Sequence, residues 1–440
     1  TQPLLFQPRG LSVAEDQSSL KIQCPKKLLP SQAHSSIEML PGNFKNMDRH
    51  IVLLILAECC LQLINAAFMM ILLIYMQKEG YADYEAAYFT KFRFLSVLLF
   101  SIPIGYYIRG RKIKPLFYFA CIVVPLSSLV LLYAVHVHYD TLIMLSQFIW
   151  GMGFVGLQIA AVPFILRNSS PGTMTEGISL SHATWSIAGV VSGIMIYGLH
   201  RMDPIAFNER NLLVMLALAG FAGLVFIRLI DIRENLNDPE DNSIDEKGHD
   251  WDKIGIASIP IIIIATGAGL TIPFISLFFY NIHGIDSHSF SLIASLALSL
   301  VFFSALMVPQ IKNKLGFRIA VPLTQSLAII SLVALAYTEN YKGTSAGLFA
   351  ALGFYALRQP LMNMATPMTT EVTMKYVGKR NQEMMSALTA SIWSGSWFIS
   401  AYLFEIMREM EVSYMNIFLI TAALYSVGVI AYMLLMRKIE

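Results

Sequence analysis

The chain has 440 residues, 56% of them hydrophobic and only 14% charged, and its net charge is +2. Soluble domains carry about 25% charged residues, so the composition excludes a soluble protein with a single anchor, and the near-zero charge excludes a nucleic-acid binder. The four cysteines, Cys24, Cys59, Cys60 and Cys121, have no metal-ligand or disulfide-framework spacing; they read as small packing residues, and neither a metal nor a cofactor is expected.

In chain order, residues 1–46 come first. They are polar, contain prolines and lack sustained periodicity, so they are expected to form a disordered cytoplasmic tail. "MDRHIVLLIL" from Met47 reads as a natural start. Long apolar runs follow. A hydrocarbon core of ~30 Å needs ~20 helical residues, and twelve such spans are expected, at roughly 50–77, 84–108, 114–136, 139–166, 174–200, 211–230, 254–281, 288–311, 318–338, 343–370, 382–407 and 413–436. This is an all-α polytopic membrane protein, with six helices over 47–230, an acidic cytoplasmic linker over 231–253 and six more over 254–440. The linker holds nine acids and three bases and reads as a solvated connection.

The first span carries Glu58, Gln62 and Asn65 at i, i+4 and i+7, on one helix face. An ionisable group in lipid costs at least ~2.5–3.5 kcal/mol, so this face must meet a cavity or a partner. Lys91 and Arg93 in the second span are expected to snorkel to the outer interface. The fourth span holds Gln158, and the fifth holds Ser179, His182 and Ser186 on one face with Trp185 beside it. His182 reads equally as a titrating group and as a neutral hydrogen-bonded one. The tenth span places Arg358 before Pro360, with Asn363 beyond, and the eleventh carries Ser386, Thr389, Trp393, Ser396 and Ser400 as a stripe. Arg358 cannot shed its proton, so it needs an anion: a protein carboxylate, for which Glu58 is the best-placed candidate, or a substrate.

Basic residues orient the chain. Nineteen lie on or beside the face that would carry both termini and five on the other, which puts both termini in the cytoplasm. The two sets of six spans also echo each other. "IYMQKEG" ending at Gly80 matches "FFYNIHG" ending at Gly284, and "PIGYYIRGRK" from Pro103 matches "PQIKNKLGFR" from Pro309. "GFVGLQ" from Gly153 matches "GFYALR" from Gly353, and "ATWSIAG" from Ala183 matches "SIWSGSW" from Ser391. The offsets all lie between 200 and 208, so Gln158 is the repeat counterpart of Arg358. Two six-helix halves repeated in parallel form a transporter design whose substrate site lies between them near the midplane.

With these features the chain resembles the major facilitator superfamily over residues 47–440. That family's signature turn, Gly-x-x-x-Asp-Arg-x-Gly-Arg-Arg/Lys, is kept in part at Gly110, Arg111 and Lys112, and again at Asn313, Lys314, Gly316 and Arg318. Tyr107 stands where the turn acid would be, which weakens the gating latch the resemblance implies. Gln147 stands where many proton-coupled members carry a helix-4 arginine. The resemblance implies that helices 1, 4, 5, 10 and 11 line a central cavity and that helices 3, 6, 9 and 12 support it. The candidate substrate and coupling residues are therefore Glu58, Gln62, Asn65, Gln158, His182, Trp185, Arg358, Asn363, Thr389 and Trp393.

The leading expectation is a secondary active transporter, a monomer of the cytoplasmic membrane. It would move a small organic solute by rocker-switch alternating access, with proton symport through Glu58. Export of an amphipathic or drug-like compound is the second reading, and a sensor or assembly partner that kept the fold is the third. No phosphate-binding loop appears in the sequence, so an ATP-driven pump is not expected, nor is an enzyme.

Overall fold

A backbone in hydrocarbon must satisfy its own N–H and C=O groups, and a helix does so within one segment. Each apolar run of this sequence accordingly forms a helix. The structure is a computed structural model that describes residues 47–108, 111–169, 173–232, 250–378 and 381–438. The N-terminal tail, nearly all of the acidic linker and Gly110 lie outside the described residues.

The first six helices are α1 (Arg49–Lys78), α2 (Asp83–Tyr107), α3 (Lys114–His136), α4 (Asp140–Asn168), α5 (Met174–Met202) and α6 (Glu209–Leu229). The second six start with α7 (Trp251–His283) and end with α10 (Ser345–Val377), α11 (Gln382–Glu409) and α12 (Tyr414–Arg437). Between them, α8 and α9 are the arms of one helical segment, Ser287–Tyr337. The sequence predicts a loop there. Instead the chain turns at Gly316 alone, whose φ of 69° and ψ of 169° suit a residue without Cβ. The direction does reverse: Ser287 at one end bonds Glu209, and Thr338 after the other bonds His283 at the same end of the bundle. Ten of these spans are long and apolar enough to cross a membrane by length and composition. α10 and α11 are equally long, at 33 and 28 residues, and more polar.

Helix starts are set by local chemistry. The side chains of Asn208, Asp250, Asp286, Thr344 and Ser413 each accept a hydrogen bond from a first-turn N–H, a cap worth about 1 kcal/mol. Interruptions also have causes. α7 breaks around Pro273, and α1 carries a π-turn at Phe68–Leu72, the kind of bulge that often marks a functional segment.

Across the two sets of six, α2 packs on α11 and α5 packs on α8. Under the repeat, α2 corresponds to α8 and α5 to α11, so these are one contact made twice. Both concentrate at the end of the bundle away from the start of α1 and the end of α12. There Arg408 Nη2 meets Asp83 Oδ2 at 3.0 Å, and Lys91 Nζ meets Glu405 Oε2 at 2.6 Å. Asp83 also accepts from Gln77, Asn281 and Tyr414. In the other seam, Ser291 Oγ donates to the Gly193 carbonyl at 3.1 Å, and His288 lies 3.2 Å from Glu209 and stacks on His200. The described contacts run inward to about mid-helix, where Leu98 approaches Gly395 and Leu298 approaches Gly189. Beyond that depth, Ile102 of α2, Trp185 and His182 of α5 and Met307 of α8 are exposed. The far end is sealed.

Candidate functional site

One helix face builds most of the site. Arg358, Gln359, Met362, Asn363, Thr366, Thr369, Thr370, Thr373 and Met374 recur at helical spacing along α10, and all line a cavity of about 120 Å³. Thr389 and Trp393 of α11, Gln325 of α9, Tyr425 and Tyr432 of α12, and Ile261 and Ile264 of α7 complete the wall. Pro367 lacks the N–H that would bond the carbonyl of Asn363, a lining residue.

The electrostatics centre on Arg358. It is only 2% exposed, yet among the described residues the partner of its guanidinium is a tyrosine: Nη2 donates to Tyr425 Oη at 3.4 Å, and buried Nε has none. Gln325 Oε1, also buried, has no partner among the described residues. Among the described residues, no acid lines the cavity. A permanently charged group in such a place is costly unless an anion joins it. The space has room for several waters, enough for a small organic anion or for the charged end of a larger one. The apolar wall of Ile261, Ile264, Met362 and Trp393 would face its carbon part.

Four sequence-predicted residues, Arg358, Asn363, Thr389 and Trp393, thus meet in one place. The first-half candidates do not join them. Glu58 is buried between α1 and α5, and the single hydroxyl of Ser181 donates to its carboxylate, with Oγ 3.0 and 2.8 Å from the two oxygens. The anticipated Glu58–Arg358 pair is therefore not formed. Gln62 and Asn65 bond each other at 3.1 Å. Gln158, His182 and Trp185 are exposed and do not line the cavity. The cavity itself belongs to the second six helices and not to the junction between halves. α9 and α12, expected as supports, supply three of its polar groups.

Snorkelling of Lys91 and Arg93 is also corrected. Lys91 is buried against Glu405, and Arg93, 4% exposed, donates to Gln147 Oε1 at 2.9 Å. Burial in a protein seam with an acceptor on a neighbouring helix replaces the reach to water. In the turns, Arg111, Lys112, Asn313, Lys314, Gly316 and Arg318 are exposed. The missing turn acid is made good within each half. Arg167 of α4 donates to the Ile108 and Arg111 carbonyls at 3.0 and 3.1 Å. Glu371 of α10 binds Lys312 at 2.6 Å and Lys375 at 2.9 Å.

Sequence reasoning missed Gln359, Tyr425, Tyr432 and the threonines. "TPMTTEVT" from Thr366 did carry a signal, since its threonines fall on the Arg358 face once α10 is extended to Val377.

No protein-family model matches the chain, and no curated sequence matches it. Solved structures do. A D-xylose–proton symporter aligns at TM-score 0.69 and 10% identity, over 88% of this chain and 98% of that one. A POT family transporter in complex with 5-aminolevulinic acid aligns at 0.68 and 14%, over 89% and 96%. A bacterial homologue of the iron transporter ferroportin aligns at 0.67 and 12% in its inward-facing state, over 88% and 98%, and at 0.60 and 11% in its outward-facing state, over 88% and 99%.

Proposed function

Starting from the major facilitator fold of this chain, we propose that it is a secondary active transporter for a small organic anion, with Arg358 as the anchor of the anionic group. The observation that carries this reading is a buried guanidinium with no carboxylate partner among the described residues, on a cavity that no described acid lines. The sealed far end and the better fit to the inward-facing ferroportin homologue support alternating access, caught open toward the termini. The basic bias supports a cytoplasmic location for that end. That a similar fold holds 5-aminolevulinic acid, a small carboxylic acid, agrees with the anionic class.

Glu58 is the proposed proton carrier. It is buried 5% exposed, is held by a hydroxyl and has no cationic partner among the described residues. Such a carboxylate binds a proton when closed off and releases it when wetted. The test is flux in proteoliposomes, with a panel of small carboxylates and phosphates and an imposed pH gradient. Wild type should accumulate one class of anion against its gradient. Glu58→Gln should lose accumulation yet keep exchange between equal compartments, and full accumulation by this variant at every pH would remove Glu58 from the coupling step. Flux of neutral solutes alone would overturn the anion reading.

A further inference from the structure

The first six helices hold a second buried guanidinium without a carboxylate, and it lies outside the cavity described above. Arg93 of α2 is 4% exposed. Among the described residues its single hydrogen-bond acceptor is Gln147 Oε1 of α4 at 2.9 Å, and buried Nη2 has no partner. Its Cζ stands 4.0 Å from the Trp150 ring centroid, and Trp150 is itself fixed by donating to Ser128 Oγ at 3.0 Å. Two more side-chain groups at this α2–α4 contact are buried and unpartnered among the described residues: Gln147 Nε2 and Ser96 Oγ, both residues at 0% exposure. All three unpaired groups can donate a hydrogen bond. Ser96 lies one turn beyond Arg93 on the same face of α2, and both meet α4 where Gly151 brings the helices together. A Cβ at Gly151 would stand 2.4 Å from the Arg93 carbonyl oxygen and 3.1 Å from Ser96 Cβ.

Three donors, one of them cationic, call for an acceptor that carries negative charge. Water would accept from two of them and leave the charge uncompensated in a low-dielectric interior. The arginine cannot become neutral, and the ring of Trp150 supplies only a quadrupole. Helices this close favour a single atom over a planar carboxylate. We propose that Arg93, Gln147 and Ser96 form a halide site between α2 and α4, with chloride as the resident anion. Arg93 lies two residues from Lys91, so an anion here also holds α2 in the register from which Lys91 reaches Glu405.

The test uses purified full-length protein in detergent, with sodium chloride, bromide or gluconate at equal ionic strength. Chloride and bromide should each raise the melting temperature over gluconate along a saturable curve. Arg93→Gln should flatten that response, and Arg358→Gln should keep it. Should Arg93→Gln fail to fold, Ser96→Ala decides, because it should shift the halide midpoint several-fold upward while leaving the gluconate baseline in place. Bromide-soaked crystals should show an anomalous peak between Arg93 and Gln147. The proposal is overturned by equal melting temperatures in the three salts, by a Ser96→Ala midpoint equal to wild type, or by a response that is lost in Arg358→Gln and retained in Arg93→Gln.

Discussion

Gly193→Val is expected to leave a folded protein that can no longer seal its far end. A Cβ at this position would stand 1.8 Å from Ser295 Oγ and 2.3 Å from the Ser291 backbone oxygen. The serine can rotate away, but the carbonyl belongs to α8 and cannot. Overpacking of this kind costs about 3 kcal/mol, and the cost falls only on the state in which α5 and α8 touch. At about 1.4 kcal/mol per tenfold, the equilibrium moves roughly 100-fold toward an open far end. Spin labels at Ile205 and Met410, both highly exposed beyond the seal, report it: their distance distribution should move outward in Gly193→Val. Cycling in the flux assay should stop as well. A wild-type distribution in a variant of wild-type stability would show that this seam does not open as proposed.

Arg358→Gln should abolish anion binding and at the same time raise thermal stability. The two signs together distinguish a ligand anchor from a structural pair. Removing one member of a satisfied buried pair costs ~3–5 kcal/mol, because the other charge is stranded. Here no carboxylate among the described residues waits for Arg358; its partner is the Tyr425 hydroxyl at 3.4 Å, so the substitution removes a desolvated charge and strands no opposite charge. Arg358→Lys should keep the charge but lose the planar fork, with affinity falling at least tenfold, about 1.4 kcal/mol. Calorimetry with the best anion from the flux panel measures both variants. A destabilised Arg358→Gln that is rescued by Glu58→Gln would return Arg358 to architecture, and undiminished binding would remove it from the site.

The sequence was legible where the physics is local. Most span ends fall within a few residues of the helix ends, since a twenty-residue apolar run in lipid has one backbone solution; the tenth, expected to end at 370, runs on to Val377. The repeat foretold that α2 and α5 are counterparts of α8 and α11, and the seams they form are counterparts too. Arg358, Asn363, Thr389 and Trp393 were found because a polar face on a membrane helix is expensive. Partnership was not legible. Lys91 and Arg93 sit two residues apart on α2 and look alike in sequence, yet one turns to Glu405, 314 residues away, and the other to Gln147. Glu58 gave no hint that Ser181 would hold it, nor Arg358 that Tyr425 would stand beside it. Such pairings depend on how helices rotate about their axes, and apolar periodicity constrains that only weakly when several faces are greasy.

Under the proposed alternating access, the sealed end would also fix how the two halves find each other again. When α2 leaves α11 and α8 leaves α5, one face bares Asp83, Lys91 and Glu209, and the other bares Arg408, Glu405 and His288. These are complementary mosaics of both signs, so their attraction acts over the separation itself and draws the faces back in register. At 0.15 M salt it fades beyond ~8 Å. In the proposed cycle, reclosure would be steered over a short opening and unguided over a wide one, and the ionic strength of the medium at that end would set how long the protein stays open.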